Sequence, residues 1–324
     1  MTAYFITGGY GFLGQYIVQA LHDHDPQVEL RVLIRSQRQT LLNLEKLERV
    51  QWTRGELTQP ASFGERLKGA DTVIHNAAMV SFKKADAQKV FDANVIGTRN
   101  LAQAAREAGC KNFIFISSIS ALEFRPPQIA NETFIPDLEY KKQTDIYGYT
   151  KRFSEIELRE MKADMRVVIL NPSVILGPGS ERVEAAMNAI RKLPILPMLD
   201  YVNAFVDVRD VARAVTLALT KGRSGERYIV SAHNIRMIDF TRAVVKGLGK
   251  KTRVFPLSPF GLKLADGFVA LLDTLRLNPG IRRPTQMNVD KPCSHEKIKN
   301  EMGWSPTFTL ERSVADSCNT TRNG

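Results

Sequence analysis

The sequence predicts an α/β fold: a doubly wound parallel sheet joined to a smaller, interleaved carboxyl-terminal domain. Three observations predict it. Short, wholly apolar runs alternate with helix-length segments over residues 1–171, as expected of strands covered by helices on both faces. A glycine cluster separates the first apolar run from the first helical stretch. After Pro172 the rhythm loosens, and prolines at 172, 178, 194 and 197 mark irregular connections.

The elements follow in order. Ala3–Thr7 reads as a buried strand and Phe12–His22 as a helix. Strands are expected at Leu30–Arg35 and Val50–Trp52, a helical turn at Ser62–Lys68, and a strand at Asp71–His75. Lys89–Ala108 reads as one long helix, Asn112–Ser117 as a strand, Ile146–Met161 as a helix and Arg166–Leu170 as a strand. Residues 1–171 therefore form the first domain, and 201–230, with the strand-like Asn203–Val208, return to it. Residues 172–200 and 231–315 form the second, including helices at Glu184–Lys192 and Pro259–Leu275. The polar tail 316–324 is expected to fray.

Composition narrows the classes. With 44% hydrophobic residues in 324 there is ample material for a core, and no repeat or low-complexity tract interrupts it. Cys110, Cys293 and Cys318 are far apart, lack metal-ligand spacing and read as reduced thiols. The first strand starts within a few residues of Met1, and no run approaches the ~18 apolar residues of a membrane span, so the chain reads as cytoplasmic, without stable membrane insertion. The net charge of +11 is spread over isolated doublets such as Lys83-Lys84 and Arg282-Arg283. That distribution argues against a nucleic-acid partner and suits an anionic cofactor or substrate.

Thr7-Gly8-Gly9-Tyr10-Gly11-Phe12-Leu13-Gly14 joins the first strand to the first helix. Two glycine registers fit: Gly9, Gly11, Gly14, and the wider Gly8, Gly11, Gly14. In either, glycine permits the turn, the backbone can approach a pyrophosphate, and the helix amino terminus faces the anion. Gly8, Gly11, Phe12, Leu13 and Gly14 are thus expected at a dinucleotide in a Rossmann arrangement. Where an acidic residue would hold the ribose 2′-hydroxyl the chain has Arg35, followed by Arg38. Guanidinium groups there suit a 2′-phosphate, so NADP(H) is favoured, with NAD(H) the alternative.

Tyr147 and Lys151 are four residues apart on a predicted helix and so share a face. A phenol with pKa near 10 is a poor acid–base catalyst at neutral pH, and an ammonium one turn away makes its proton transfer practical. Tyr149 has Phe153 at the same spacing and is a decoy. Ser118, just beyond a strand's carboxyl end, can hydrogen-bond a reacting carbonyl oxygen. Taken singly, the pair reads as surface and the serine as a strand cap; their order gives them weight.

That order resembles the extended short-chain dehydrogenases/reductases, the NAD-dependent epimerase/dehydratase superfamily. Besides Thr-Gly-x-x-Gly-x-x-Gly at 7–14, it carries Gly55-Glu56-Leu57, His75-Asn76-Ala77-Ala78, Asn94-Val95-Ile96-Gly97-Thr98, Ser117-Ser118, Tyr147 to Lys151 and Asn171-Pro172-Ser173. Phe205 to Ala212 and Glu296-Lys297 through Gly303-Trp304-Ser305-Pro306 match later landmarks, so the resemblance covers nearly the whole chain. It implies that Ser118 polarises the carbonyl, Tyr147 moves the proton and Lys151 also contacts the nicotinamide ribose. Ala77 and Ala78 would line the cofactor, with Pro172 and Ser173 near the nicotinamide. Glu56 stands where the family usually has aspartate near the adenine, which makes Leu57 the firmer contact. Asn94 and His75 are expected to be structural.

Leu176-Gly177-Pro178 and Asn203 depart from the sugar-nucleotide epimerases, and the chain is similar instead to dihydroflavonol reductase-like and 3β-hydroxysteroid dehydrogenase-like members. A ketone or aldehyde of an apolar small molecule is therefore the expected substrate, lined by Leu122, Phe124, Met187, Ile190, Met198 and Tyr201. The alternatives are a nucleotide-sugar epimerase or dehydratase with bound NAD, and a non-catalytic NADPH-binding sensor or scaffold. The apolar segment 259–277 is expected to cover the active site or join two copies into a homodimer; a membrane-surface helix is the third reading.

Overall fold

A computed structural model describes residues 2–36, 41–180, 184, 187, 188, 190, 191, 193–274 and 284–320. Its seven-stranded sheet is parallel throughout. The strands are β1 (Ala3–Thr7), β2 (Glu29–Ile34), β3 (Val50–Arg54), β4 (Thr72–His75), β5 (Asn112–Ile116) and β6 (Arg166–Pro172), and a later strand, Glu226–Val230, pairs with β6. Reading across the sheet, the order is Glu226–Val230, β6, β5, β4, β1, β2, β3. The winding direction reverses between β1 and β4, and that crevice is where an open α/β sheet receives its ligand.

The two-residue period of the strands builds two cores. Ile6, Val32, Ile74, Ile114 and Val168 face helix α1 (Phe12–His24) and the helix Val208–Ala218. Their neighbours Phe5, Leu33, Val73, Phe113, Phe115 and Val167 face the opposite layer, with Leu101, Ala102, Ala105 and Leu158. All these side chains are buried, which is why β1, β4, β5 and β6 are mostly apolar on both faces, whereas β2 opens on the half-buried pair Glu29 and Arg31.

Three expectations change. The long helix expected over 89–108 is three pieces: α2 (Ala87–Phe91), a π-helical turn at Asp92–Ile96, and α3 (Gly97–Glu107). The turn is held by Asn94, whose amide bonds Met79 N–H at 2.7 Å and Met79 O at 3.0 Å. Of the returning segment, Glu226–Val230 joins the main sheet, whereas Val202–Asp207 pairs with Val174–Leu176 and His233–Arg236 in a separate three-stranded sheet. Of the tail 316–324 expected to fray, Asp316 to Thr320 continue the helix Leu310–Thr320, and 321–324 lie outside the described residues. Asp316 is ion-paired with Arg209 at 2.8 Å, and Cys318 is buried against Gly247.

The later landmarks form a clasp. Trp304 is fully buried and its indole N–H donates to Asp210 O at 2.9 Å. The Asp210 carboxylate accepts from the N–H groups of Thr307 and Phe308 and from the Thr307 hydroxyl. The carboxyl-terminal segment is thereby tied to the helix Val208–Ala218, which packs beside α1. Among the described residues, no helix is long and apolar enough to cross a membrane.

Candidate active site

The glycine turn is organised around one atom, the Gly8 carbonyl oxygen. Gly11 N–H donates to it at 3.0 Å, and a Cβ on Gly14 would lie 2.0 Å from it. Gly8 has φ +74°, and a Cβ there would meet Ala77 N at 2.8 Å. The wider register, Gly8, Gly11, Gly14, is thus the one the turn is built on; Gly9 is required instead by Val32, 2.3 Å from where its Cβ would be. Gly11 caps α1 without a side chain, and the first turn holds no acidic residue, so its N–H groups face outward for an anion.

Beside the turn, a hydrogen-bond chain fixes the end of β4. The Thr98 hydroxyl donates to Asn94 O at 2.5 Å, so it accepts from His75 Nε2–H at 2.8 Å. His75 Nδ1 then accepts from the Thr7 hydroxyl at 2.7 Å, and Thr7 Oγ1 accepts from Ala77 N–H at 3.1 Å. Burial pushes His75 down to about 3, so the ring is neutral, as this chain requires. His75 is a structural residue that aims the Ala77 loop at the glycine turn.

The three residues expected to be catalytic come from two elements. Ser118 follows β5 and its Oγ accepts from Ser120 N–H at 3.1 Å, which leaves the hydroxyl its own proton to donate. Tyr147 lies in the first turn of α4 (Ile146–Glu160), half-buried, with its ring edge-on to Phe82 at a centroid distance of 5.9 Å. Asp145 caps that helix by accepting from Gly148 N–H at 3.1 Å. A Cβ on Gly148 would fall 2.4 Å from Ser120 O, so glycine lets α4 press against the turn carrying Ser118. Lys151 is buried one turn on; its ammonium donates to Ile116 O at 2.8 Å and sits 4.6 Å from the Phe115 ring centroid. Burial pushes Lys151 down to about 7, opposed by the charge of Glu155. Tyr149 is buried, its ring centroid 5.7 Å from that of Phe153.

Glu155 is the residue that sequence reasoning missed. It is fully buried, and Oε1 accepts from Ser117 Oγ and Asn171 Nδ2, both at 2.6 Å. Oε2 faces Arg152 at 3.0 Å and Arg227 at 3.3 Å. Asn171 also donates to Ser118 O at 3.0 Å, so this cluster underpins the serine from below. The signal was available: Tyr147, Lys151 and Glu155 repeat every fourth residue, on one helical face.

The residues present fit a nicotinamide dinucleotide. Besides the glycine cradle, Asn171 Oδ1 and Ser173 Oγ, on either side of Pro172, are buried without a hydrogen-bond partner. Buried polar atoms of that kind are normally satisfied, and a carboxamide would satisfy them. Ser231, at the end of the neighbouring strand, has the same orphaned hydroxyl and was not anticipated. Ala78 and Arg35 are exposed beyond β4 and β2, and Arg38 lies outside the described residues. Glu56 is exposed, its N–H bonded to Ser62 Oγ, whereas Leu57 is half-buried against Gly97. Of the expected apolar lining, Leu122, Met187 and Ile190 are core residues, because the same spacing also packs helices and turns; Phe124, Met198 and Tyr201 are half-buried.

The NAD dependent epimerase/dehydratase family matches residues 4–231. Sterol demethylase protein B of Methylococcus capsulatus is 30% identical over 316 residues, covering 94% of each chain. A putative dihydroflavonol 4-reductase of Synechocystis is 30% identical over 243 residues, 72% of this chain and 69% of that one. Among solved structures, gox2253 superposes with a TM-score of 0.84 at 27% identity, covering 100% of this chain and 98% of that one. The chain belongs to the NAD-dependent epimerase/dehydratase family of extended short-chain dehydrogenases/reductases and is an NAD(P)-dependent oxidoreductase.

Proposed function

We propose that the chain is an NADP(H)-dependent reductase of a ketone or aldehyde on an apolar small molecule. The observation that carries this reading is the buried Lys151 one helical turn from Tyr147, next to the turn that bears Ser118. When bound, the reduced nicotinamide supplies a hydride to the carbonyl carbon. Ser118 donates a hydrogen bond to the carbonyl oxygen, which gathers charge as the carbon is reduced. Tyr147 Oη gives its proton to that oxygen, completing the alcohol, and the protonated Lys151 stabilises the phenolate left behind. Solvent restores the tyrosine proton.

Arg35 supports the phosphorylated cofactor, since its guanidinium stands where a carboxylate would reject a 2′-phosphate. Relatives named for a sterol and a dihydroflavonol support an apolar substrate. The test is NADPH oxidation against aromatic ketones, steroids, aldehydes and nucleotide sugars, with Tyr147→Phe beside the parent chain. The variant should lose roughly 10²–10⁴-fold in turnover; unchanged turnover would refute the assignment. Nucleotide released on denaturation tests the cofactor: tightly retained NAD⁺ would favour the epimerase or dehydratase alternative.

A further inference from the structure

The loop after β4 carries two apolar side chains that the core does not cover. Val80 is 42% exposed and Phe82 38%, on either side of Ser81. Hydrogen bonds hold the backbone around them in place. The Asn94 side chain accepts from Met79 N–H at 2.7 Å and donates to the Met79 carbonyl at 3.0 Å. Ser81 Oγ donates to Asp86 Oδ2 at 2.7 Å and accepts from Lys83 N–H at 3.3 Å. The same Asn94 amide donates to Thr150 Oγ1 at 3.1 Å, and the Thr150 hydroxyl donates to Tyr147 O at 2.9 Å. One buried amide thus fixes both the loop that bears Phe82 and the helical turn that bears Tyr147. Their rings meet at a centroid distance of 5.9 Å and an interplanar angle of 76°.

We propose that Phe82 is a specificity-determining residue: its ring is the wall that receives the group attached to the reacting carbonyl, and it favours an aromatic group there. The inference rests on the reductase reading, in which Tyr147 Oη comes within about 2.6–3.2 Å of the carbonyl oxygen. A substituent on the carbonyl carbon is then only a bond or two further on, beside the ring that abuts the phenol. A large apolar side chain exposed on an anchored loop at that place is apolar surface for a substrate to cover. The Phe82 ring selects among substrates by its quadrupole. An aromatic substituent packs edge-to-face or offset against it, which adds roughly two- to twelvefold in affinity beyond the area buried. A saturated ring of the same size gains the area alone. A sugar would set hydroxyls against a surface that offers them no hydrogen bond.

The test compares acetophenone with cyclohexyl methyl ketone. The two differ only in the ring, and their unequal intrinsic reactivity cancels between variants. Phe82→Leu keeps an apolar side chain and removes the aromatic ring. It should lower the preference for acetophenone, the ratio of the two kcat/KM values, roughly two- to twelvefold, chiefly through KM. Phe82→Tyr should keep the ratio of the parent chain, since the aromatic face is restored. A loss equal for both ketones assigns Phe82 to steadying Tyr147 alone and overturns the inference, as does an unchanged ratio. Binding is read apart from turnover in the Tyr147→Phe chain loaded with NADPH, by quenching of the nicotinamide fluorescence. There Phe82→Leu should weaken acetophenone more than cyclohexyl methyl ketone by the same factor. Such ring-dependent binding in a chain whose parent reduces neither ketone keeps the wall and rejects the reductase. Reduction of both ketones at an unchanged ratio keeps the reductase and rejects the wall, and binding of neither ketone overturns the inference.

Discussion

Replacing Glu155 with glutamine keeps the shape of the side chain and removes its charge. The amide oxygen can still accept from Ser117 and Asn171, which approach Oε1 at 2.6 Å. The arginines on the other oxygen fare differently. Arg152 and Arg227, 5% and 4% exposed, would each lose their buried counter-charge. Arg227 keeps the carbonyls of Glu132 and Phe134, but Arg152 already has an unpartnered buried Nε. Breaking one side of a buried ion cluster costs about 3–5 kcal/mol. Over 324 residues at about 2.1 cal/mol/K each, that is a fall of roughly 4–7 °C in melting temperature. The substitution also removes the charge that raises the pKa of Lys151, so Lys151 loses its proton at lower pH than the value of about 7 it has now. The rate of the proposed carbonyl reduction, in which the ammonium stabilises the phenolate, should therefore decline at lower pH than in the parent chain. The assays are a calorimetric melt and the pH profile of kcat/KM for reduction. A melt within about 1 °C of the parent, with an unmoved alkaline limb, would refute the reasoning.

Three further outcomes are expected. Gly14→Ala places a methyl group 2.0 Å from Gly8 O and should weaken cofactor binding at least about tenfold by fluorescence titration, whereas Gly64→Ala, with nothing within 4 Å, should stay within about 0.5 kcal/mol in stability and bind normally. His75 has a folded pKa of about 3 against an ordinary 6.5, so the unfolded chain takes up its proton first and stability falls with pH through that window. The loss should be about 2 kcal/mol between pH 8 and pH 5, read from urea midpoints; a His75→Gln variant with the same acid slope would contradict it. Arg35→Asp should move preference from NADPH toward NADH by roughly tenfold or more in the ratio of kcat/KM values, since a carboxylate repels the 2′-phosphate and can accept from a 2′-hydroxyl.

Much of the molecule was legible without coordinates because its signals are local. A strand buried on both faces is mostly apolar, so β1, β4, β5 and β6 could be read directly, and β2 from Leu30 with Arg31 as its one interruption. A turn wrapped around one carbonyl needs glycine at fixed offsets, and a reactive pair on one helical face needs a spacing of four. Such rules act between neighbours in the chain, and they carried the doubly wound sheet, the glycine turn and the positions of Tyr147 and Lys151.

Tertiary structure decided what depends on contacts between distant segments. Only packing shows that Asn94 opens a π-turn by bonding Met79, or that Asp207 and Arg209 hold Ser313 and Asp316 in a helix instead of a loose tail. Apolar spacing cannot tell a pocket wall from a core, and so Leu122 and Met187 proved buried while Phe260 and Phe268 proved exposed. Glu155 illustrates the difference most clearly. Its place on the Tyr147 face is written in the sequence, but its partners Asn171 and Arg227 lie 16 and 72 residues away. Sequence specifies which residues can share a face; the fold determines which charges are buried together, and burial sets what each charge does.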